Sequence, residues 1–560
     1  MRFFLFNFIG LFCSVAFFTS CKKAASNQSN EVVNNTPFLL AGSSINGESF
    51  SKDLISYDVN TTPNIVLRFN KKINRTIAAN AIVLLKNGNE SVKLNYSFLQ
   101  NDSAVSIVAQ ASLAYLTKYI LSIDNSLQSE SKQTLSIPVS MGFITTMDST
   151  DKFPVLTEAA LLDTAQKATF NYFWNFGHPI SGMARERNTS GDIVTSGGTG
   201  FGIMALVVAV ERNFISRSEG LARMKTIVSF LQNKAKRFHG AFPHWLNGIT
   251  GDVVPFSIKD NGADLVETSF LIAGLLSARM YFSGLNTEES TLRNNINLIW
   301  DAVDWNWFRQ NNQQTLYWHW SPDYQWDLNL KISGWNECLI TYVLAASSNT
   351  NAIPRETYLN GFARNGSMKN NAVYYNYKLP LGPELGGPLF LSQYSFLGID
   401  PRGLSDPFAD YQEQVVNHSL INYNYCINNP KMYWGYSQNC WGLSASDIPN
   451  GYSASSPTND LGVIAPTAAL SAFPFTPKES MQALKFFYYK LGDKLWTEYG
   501  FVDAFKLQDL WFSTSTLAID QGPSIIMIEN YRSGLIWKLF TACPEIKNGL
   551  KKLGFTAPYL

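Results

Sequence analysis

Residues 264–282 read DLVETSFLIAGLLSARMYF, and this stretch decides the fold. It is too long for a strand, contains no proline, and is apolar on nearly every side of a helical wheel. A helix without a polar face is buried on every side. The segment before it, residues 217–235, is different. Leu221, Met224, Val228 and Leu231 make one apolar stripe there, and Ser216 with Glu219 makes a capping box at the start. One helix is therefore internal and its neighbour lies at the surface. The alternation recurs along the chain. Residues 200–210, 264–282, 335–346, 389–397, 466–473 and 523–540 read as internal helices. Residues 157–176, 217–235, 288–308, 354–363, 407–427 and 477–496 read as amphipathic ones, with Asp406-Pro407 and Thr476-Pro477 as helix starts. This predicts an all-α (α/α)6 toroid over residues 150–560, an inner ring within an outer one, with an irregular helical bundle as the alternative. In a toroid the inner helices run the same way. Their N-terminal ends, and the segments leading into them, then line one central cleft.

Upstream the period changes. Residues 64–69, 81–85, 92–98, 105–108 and 119–123 are short β-rich runs between turn clusters. Val92, Leu94, Tyr96 and Phe98 alternate strictly. A small all-β sandwich is predicted over residues 37–146. The runs IVLRFNKKINRTI (65–77) and LAYLTKYILSID (113–124) resemble bacterial Ig-like domains that precede secreted enzymes. The domain carries no cluster of catalytic residue types and reads as a spacer or docking module.

Residues 1–20, MRFFLFNFIGLFCSVAFFTS, have one Arg before an apolar run, as a secretory signal does. Thr19-Ser20-Cys21 resembles the lipobox of bacterial lipoproteins, which implies a lipidated Cys21 and a protein tethered at the outer membrane. Residues 21–36 read as a flexible linker. No later apolar stretch reaches the ~18 residues of a membrane span. Cys338 reads as a buried thiol; Cys426 and Cys440 are a possible disulfide pair in an oxidising compartment.

The composition narrows the partners. With 44 Lys+Arg against 43 Asp+Glu in 560 residues, the chain has no field for nucleic acid or anionic lipid. Charged residues are 16%, against roughly 25% in an average protein, while aromatics reach 14%. Neutral ligands met by flat aromatic surfaces suit that balance.

Chemistry is expected in the segments that lead into the internal helices. Glycoside hydrolysis needs two carboxyl groups, an acid and a base or nucleophile. Asp264 and Glu267 are i, i+3 at the start of one internal helix and share a face, with Asp260 just upstream. Glu337 opens the next, after a loop rich in Trp. A desolvated carboxyl has a raised pKa, so Glu337 is expected as general acid. Asp264 and Glu267 are then the base or water-holding pair, supported by Asp260. The other reading of Asp264 or Glu267 is a helix cap, or an ion pair with Arg185 or Arg187. Substrate contacts are expected from Arg185, Arg187, Trp245, Trp318, His319, Trp320, Trp335, Gln393, Tyr394 and Trp441. Trp300, Trp305, Trp307, Trp496 and Trp537 lie within helical patterns and are expected in the core. GGTGFG (197–202) lacks the βαβ context of a phosphate loop and reads as a tight approach to a buried helix. HExxH and GxSxG are absent, and neither a cofactor nor an obligatory metal is expected.

Four blocks carry a resemblance: TFNYFWNFGHPISGMARER (169–187), GTGFGIMALVVAVERNFISR (198–217), GADLVETSFLIAGLL (262–276) and ISGWNECLITYVLAAS (332–347). They resemble the bacterial glucoamylase-like domain, which includes glycoside hydrolase family 144, endo-β-1,2-glucanases with an (α/α)6 fold. The resemblance covers roughly residues 158–555. It implies an endo-acting, inverting hydrolase of a β-glucan, with its essential carboxylates in the blocks that hold Asp264, Glu267 and Glu337; a monomer is expected. The rival expectations are a non-catalytic glycan-binding lipoprotein on the same scaffold, and a hydrolase or lyase of another polysaccharide.

Overall fold

The computed structural model describes residues 36–560. The predicted leader, Cys21 and the tether as far as residue 35 lie outside the described residues. The chain divides into two compact units: one runs to Leu113 and adds Lys118–Ile144, the other holds Ala114–Thr117 and Thr145–Leu560.

The first unit has the strands β1 (Leu40–Ile45), β2 (Glu48–Ser49), β3 (Ser56–Val59), β4 (Asn64–Phe69), β5 (Ile82–Lys86), β6 (Glu90–Val92), β7 (Leu94–Leu99), β8 (Ala104–Ala109), β9 (Lys118–Ile123) and β10 (Val139–Thr145). They form two five-stranded sheets, ordered β2-β1-β4-β8-β7 and β3-β10-β9-β5-β6. Ile65, Leu67, Val105 and Ile107 from one sheet share a buried cluster with Ile82, Leu84, Leu121 and Ile123 from the other. The run 92–98, expected as one strand, is two. β6 pairs with β5, and from Leu94 the chain pairs with β8 in the opposite sheet. The alternation survives the crossing, because Val92, Leu94, Tyr96 and Phe98 all turn toward the shared core. A short helix, α1 (Arg75–Ala81), precedes β5 and is capped by Asn74, whose Oδ1 accepts from the Thr76 N–H.

The second unit is mainly helical: α2 (Glu158–Trp174), α3 (Ser196–Glu211), α4 (Arg217–Asn233), α5 (Leu265–Tyr281), α6 (Thr287–Asp301), α7 (Leu339–Ser347), α8 (Tyr411–Asn428), α9 (Pro466–Ser471), α10 (Pro477–Lys485), α11 (Gly492–Leu495), α12 (Ala518–Arg532), α13 (Leu535–Ala542) and α14 (Pro544–Leu553). The apolar helices are buried almost along their whole length. They also follow one another in space: α7 packs on α5, α5 on α3, α3 on α12 and α12 on α9. The α3–α5 contact is closest at two glycines. A Cβ on Gly200 would stand 2.1 Å from the Phe270 carbonyl oxygen, and one on Gly274 would stand 2.2 Å from the Gly200 carbonyl oxygen. The glycine-rich run in the first turns of α3 is thus a packing device. The capping box at Ser216 and Glu219 is also present.

Two internal helices differ from expectation. Residues 389–397 form two 3₁₀ turns, Leu389–Ser392 and Tyr394–Leu397, in a segment bounded by Pro388 and Gly398. Residues 523–540 are parts of α12 and α13, broken at Ser533 and Gly534, where Gly534 takes a φ of +69°. Pro523 lies inside α12 rather than at its start. Among the outer helices, 354–363 is reduced to a π-helical turn, Thr357–Phe362. The four cysteines among the described residues are buried free thiols, Cys426 and Cys440 included.

Candidate active site

The starts of α5 and α12, and the residues just before α7, hold carboxylates. Asp264 is the N-cap of α5, and its Oδ1 accepts from the Val266 and Glu267 N–H groups, both at 2.9 Å. Its placement comes from a two-residue ladder in which Ala263 faces Trp320 and Asp264 faces His319. The His319 Nε2 lies 3.5 Å from Asp264 Oδ2 and 3.3 Å from Asp260 Oδ2. His244 brings Nδ1 to 3.1 Å from the same Asp264 Oδ2. Both Asp264 oxygens are therefore engaged. Burial opposes its charge, but the bonds from His244 and His319 outweigh that and hold its pKa below the ordinary range.

The histidines respond in turn. Burial alone would lower His244; the charge of Glu267 and the bond to Asp264 lift it to about 9. His319 is raised by the Asp264 bond and by Asp260, again against its burial. Asp260 is pushed up to about 6 by burial and by the Asp264 charge. His244, Asp260 and Asp264 each place one ligand atom within 4.8 Å of the others. A cation there would have to displace the hydrogen bonds that hold Asp264.

Glu267 uses one oxygen structurally. Its Oε2 accepts from the Gly197 N–H at 2.7 Å and the Thr195 hydroxyl at 3.1 Å, which ties the start of α3 to α5. Burial and the Asp264 charge raise its pKa. Its side chain lines a cavity of about 350 Å³ together with His244, Trp245, Phe256, Arg187 and Tyr452.

Glu337 lies two residues before α7, and its carbonyl accepts from the Ser395 hydroxyl. Burial, with a contribution from Asp264, pushes its carboxyl up to about 7. A carboxyl that keeps its proton near neutrality is what an acid requires.

A second acidic group forms the other part of the site. The Asp447 N–H donates to Asp503 Oδ2 at 2.6 Å. Burial and the Asp447 charge raise Asp503 to about 7, and burial and the Asp503 charge raise Asp520 well above the carboxylate range. Tyr394 donates to Asp520 Oδ1 at 3.4 Å, and burial together with the fields of Asp520 and Glu337 raises its own pKa. The tyrosine links the two acidic groups. Asp447, Asp503 and Asp520 were missed in the sequence, although each lies in or just beside a segment leading into a buried helix. Their signal was that position alone.

Several expected contacts need correction. Trp441 is fully buried in the core, with its Nε1 donating to the Glu479 carbonyl. Trp335 packs between Phe396 and Tyr411. Gln393 is buried, and its Nε2 donates to the Ala468 carbonyl. Arg185 stacks on Phe176 at 4.6 Å and donates to that residue's carbonyl, away from the acids. Arg187 pairs with Glu186 and Asp447 rather than Asp264 or Glu267. Asp264 caps α5 and is the ion-pair partner of His244 and His319. His319 faces inward to the aspartates. Trp320 packs against Trp307 and His239, and Trp318 stacks on His319. Trp245 does reach the cavity. Trp300, Trp305 and Trp537 are core, as expected; Trp307 and Trp496 are only partly buried.

The family model described as "Putative glucoamylase" matches residues 329–544, and one for a bacterial Ig-like domain matches residues 53–145. The crystal structure of a "putative glucoamylase" from Bacteroides uniformis is 52% identical with a TM-score of 0.72, over 73% of this chain and 100% of that one. The endo-β-1,2-glucanase of Chitinophaga pinensis, solved with sophorotriose and glucose, is 51% identical with a TM-score of 0.71, over 72% of this chain and 100% of that one. The exo β-1,2-glucooligosaccharide sophorohydrolase (non-reducing end) of Parabacteroides distasonis is 44% identical over 421 residues. That match takes in 71% of this chain and 58% of that curated relative's length. Fold and site define a helical carbohydrate-active domain that follows an Ig-like one in the sequence. The chain belongs to the glucoamylase-like glycoside hydrolases, in the group of family 144.

Proposed function

We propose that this protein hydrolyses β-1,2-glucan, cutting within the chain by general acid catalysis with inversion. The observation that carries the reading is Glu337, a carboxyl just before α7 and in the field of Asp264, whose pKa burial pushes up to about 7. The names of the relatives support a β-1,2-linked substrate. Glu337 protonates the leaving oxygen. Glu267, which uses its Oε2 on Gly197 and Thr195 and whose side chain lines the cavity, takes the proton of the attacking water. A second reading gives that role to the Asp503–Asp520 pair, favoured by Tyr394, which donates to Asp520 and lies in the field of Glu337. The sequential packing of α7, α5, α3, α12 and α9 supports the closed (α/α)6 ring. Export, a lipid on Cys21, an outer-membrane location and a monomeric state complete the reading, with the Ig-like unit as spacer or docking module.

The test is incubation with a panel of linkage-defined glucans, followed by product sizing. Internal cutting gives a fast fall in mean chain length, and inversion gives α-anomeric product in the first minutes by NMR. A new ultraviolet-absorbing double bond would mark a lyase; binding without products would mark a glycan-binding protein. Loss of activity in Glu267→Gln but not in Asp503→Asn assigns the base to Glu267, and the reverse assigns it to the pair.

A further inference from the structure

We propose that the hairpin Ala445–Ile448/Gly451–Ala454 sets the length of the product, and that the chamber beyond it binds the neighbouring stretch of glucan. This rests on the reading of the protein as a β-glucan hydrolase.

The cleft is divided in two. Beyond the 350 Å³ cavity lies a second one of about 560 Å³, and Arg187 and Tyr452 line both. Each volume falls within the roughly 300–1,000 Å³ of small-molecule sites. The partition is held firmly. Arg187 Nε lies 3.0 Å from a Glu186 oxygen and Nη1 lies 3.2 Å from Asp447 Oδ1. Asp447 also accepts from the Ser515 hydroxyl, and its N–H is bound to Asp503. Tyr452 stands opposite Asp447 in the hairpin ladder, so the same clamp places the ring. Tyr452 is 47% exposed and borders both cavities.

The far chamber has the chemistry of a sugar site. Trp511 and Phe512 give ring faces, and Ser513, Thr514 and Ser515 give hydroxyls. The charges present, Arg187 and Asp447, already neutralise each other. A neutral polyol suits such walls better than an anion or a cation. A glucan that fills both chambers must pass Arg187 and Tyr452. Its cut is then fixed a set number of sugars from that point.

The experiment uses reducing-end-labelled β-1,2-gluco-oligosaccharides of graded length and the full-length protein, with melting curves to confirm folding. Tyr452→Ala is expected to change the ratio of the two main products by about threefold or more. Trp511→Ala is expected to raise KM about tenfold for oligosaccharides long enough to reach the chamber, and less than about twofold for shorter ones. Unchanged product ratios, or a KM change independent of length, overturn the proposal. Binding isotherms on Glu337→Gln give an arm that needs no hydrolysis. There the affinity gained per added sugar is expected to disappear when Trp511→Ala is added, and its persistence overturns the chamber's role. A protein that cuts no glucan in the panel fails as a hydrolase, while those isotherms still decide the chamber.

Discussion

Asp264 and His244 meet at 3.1 Å, Oδ2 to Nδ1, and the other Asp264 oxygen caps α5. One side chain thus closes a helix end and anchors a charged imidazole at the wall of the cleft. The cleft wall is in this sense an extension of the helix cap. Glu267, three residues on, inherits its position from the same bond set.

Stability should fall on the alkaline side. His244 has a folded pKa of about 9, above the ~6.5 of an unfolded chain. Its stabilising contribution is complete below about pH 6.5 and is lost as pH rises through about 9. The melting temperature is expected to drop between pH 7 and 9.5, and His244→Gln is expected to flatten that limb. A wild-type curve that is level over this window would refute the buried charge.

Glu337 must carry a proton to act. With its pKa at about 7, kcat/KM is expected to decline as pH rises through that value. Glu337→Gln is expected to lower kcat by about 10²–10⁴, the usual contribution of a general acid. A loss smaller than tenfold would remove the assignment.

Asp264 and Glu267 should separate by stability. Asp264→Ala breaks a buried charge network and a cap, so a loss of about 3–5 kcal/mol is expected in chemical unfolding. Glu267→Gln keeps the acceptor for Gly197 and should melt near the wild type while losing activity. Gly197→Ala makes the complementary case. Its Cβ would stand 2.6 Å from Glu267 Oε2 and would push the carboxylate away. Activity should fall by about tenfold with little change in melting.

The tryptophans divide in the same way. Trp441→Ala empties a fully buried site and is expected to cost about 3–5 kcal/mol of stability. Trp245→Ala removes a cavity wall and is expected to raise KM with an unchanged melting temperature. Matching stability losses in both would mean that Trp245 is core after all.

The helical period carried most of the fold. Residues 264–282 could be read as internal because no face of them was polar. The same logic failed at 389–397, which folds as two 3₁₀ turns, and at 523–540, where Gly534 breaks a run that looks continuous. On the site, Glu267 was legible because it lies in the first turn of an apolar helix, and Glu337 because it stands just before one. Trp335 and Trp441 were not, since a loop residue can point inward and local sequence does not say which way. Asp503 and Asp520 act through each other although 17 positions separate them, and no local pattern links such a pair.

The four buried thiols are natural reporters. Cys338 and Cys543 sit in one packing cluster of the helical unit; Cys426 and Cys440 sit in another. A sulfhydryl reagent can reach them only when the surrounding side chains part. Alkylation followed by peptide mapping would therefore time the opening of each half separately. Without cross-links to form, the unit also needs no oxidant to mature.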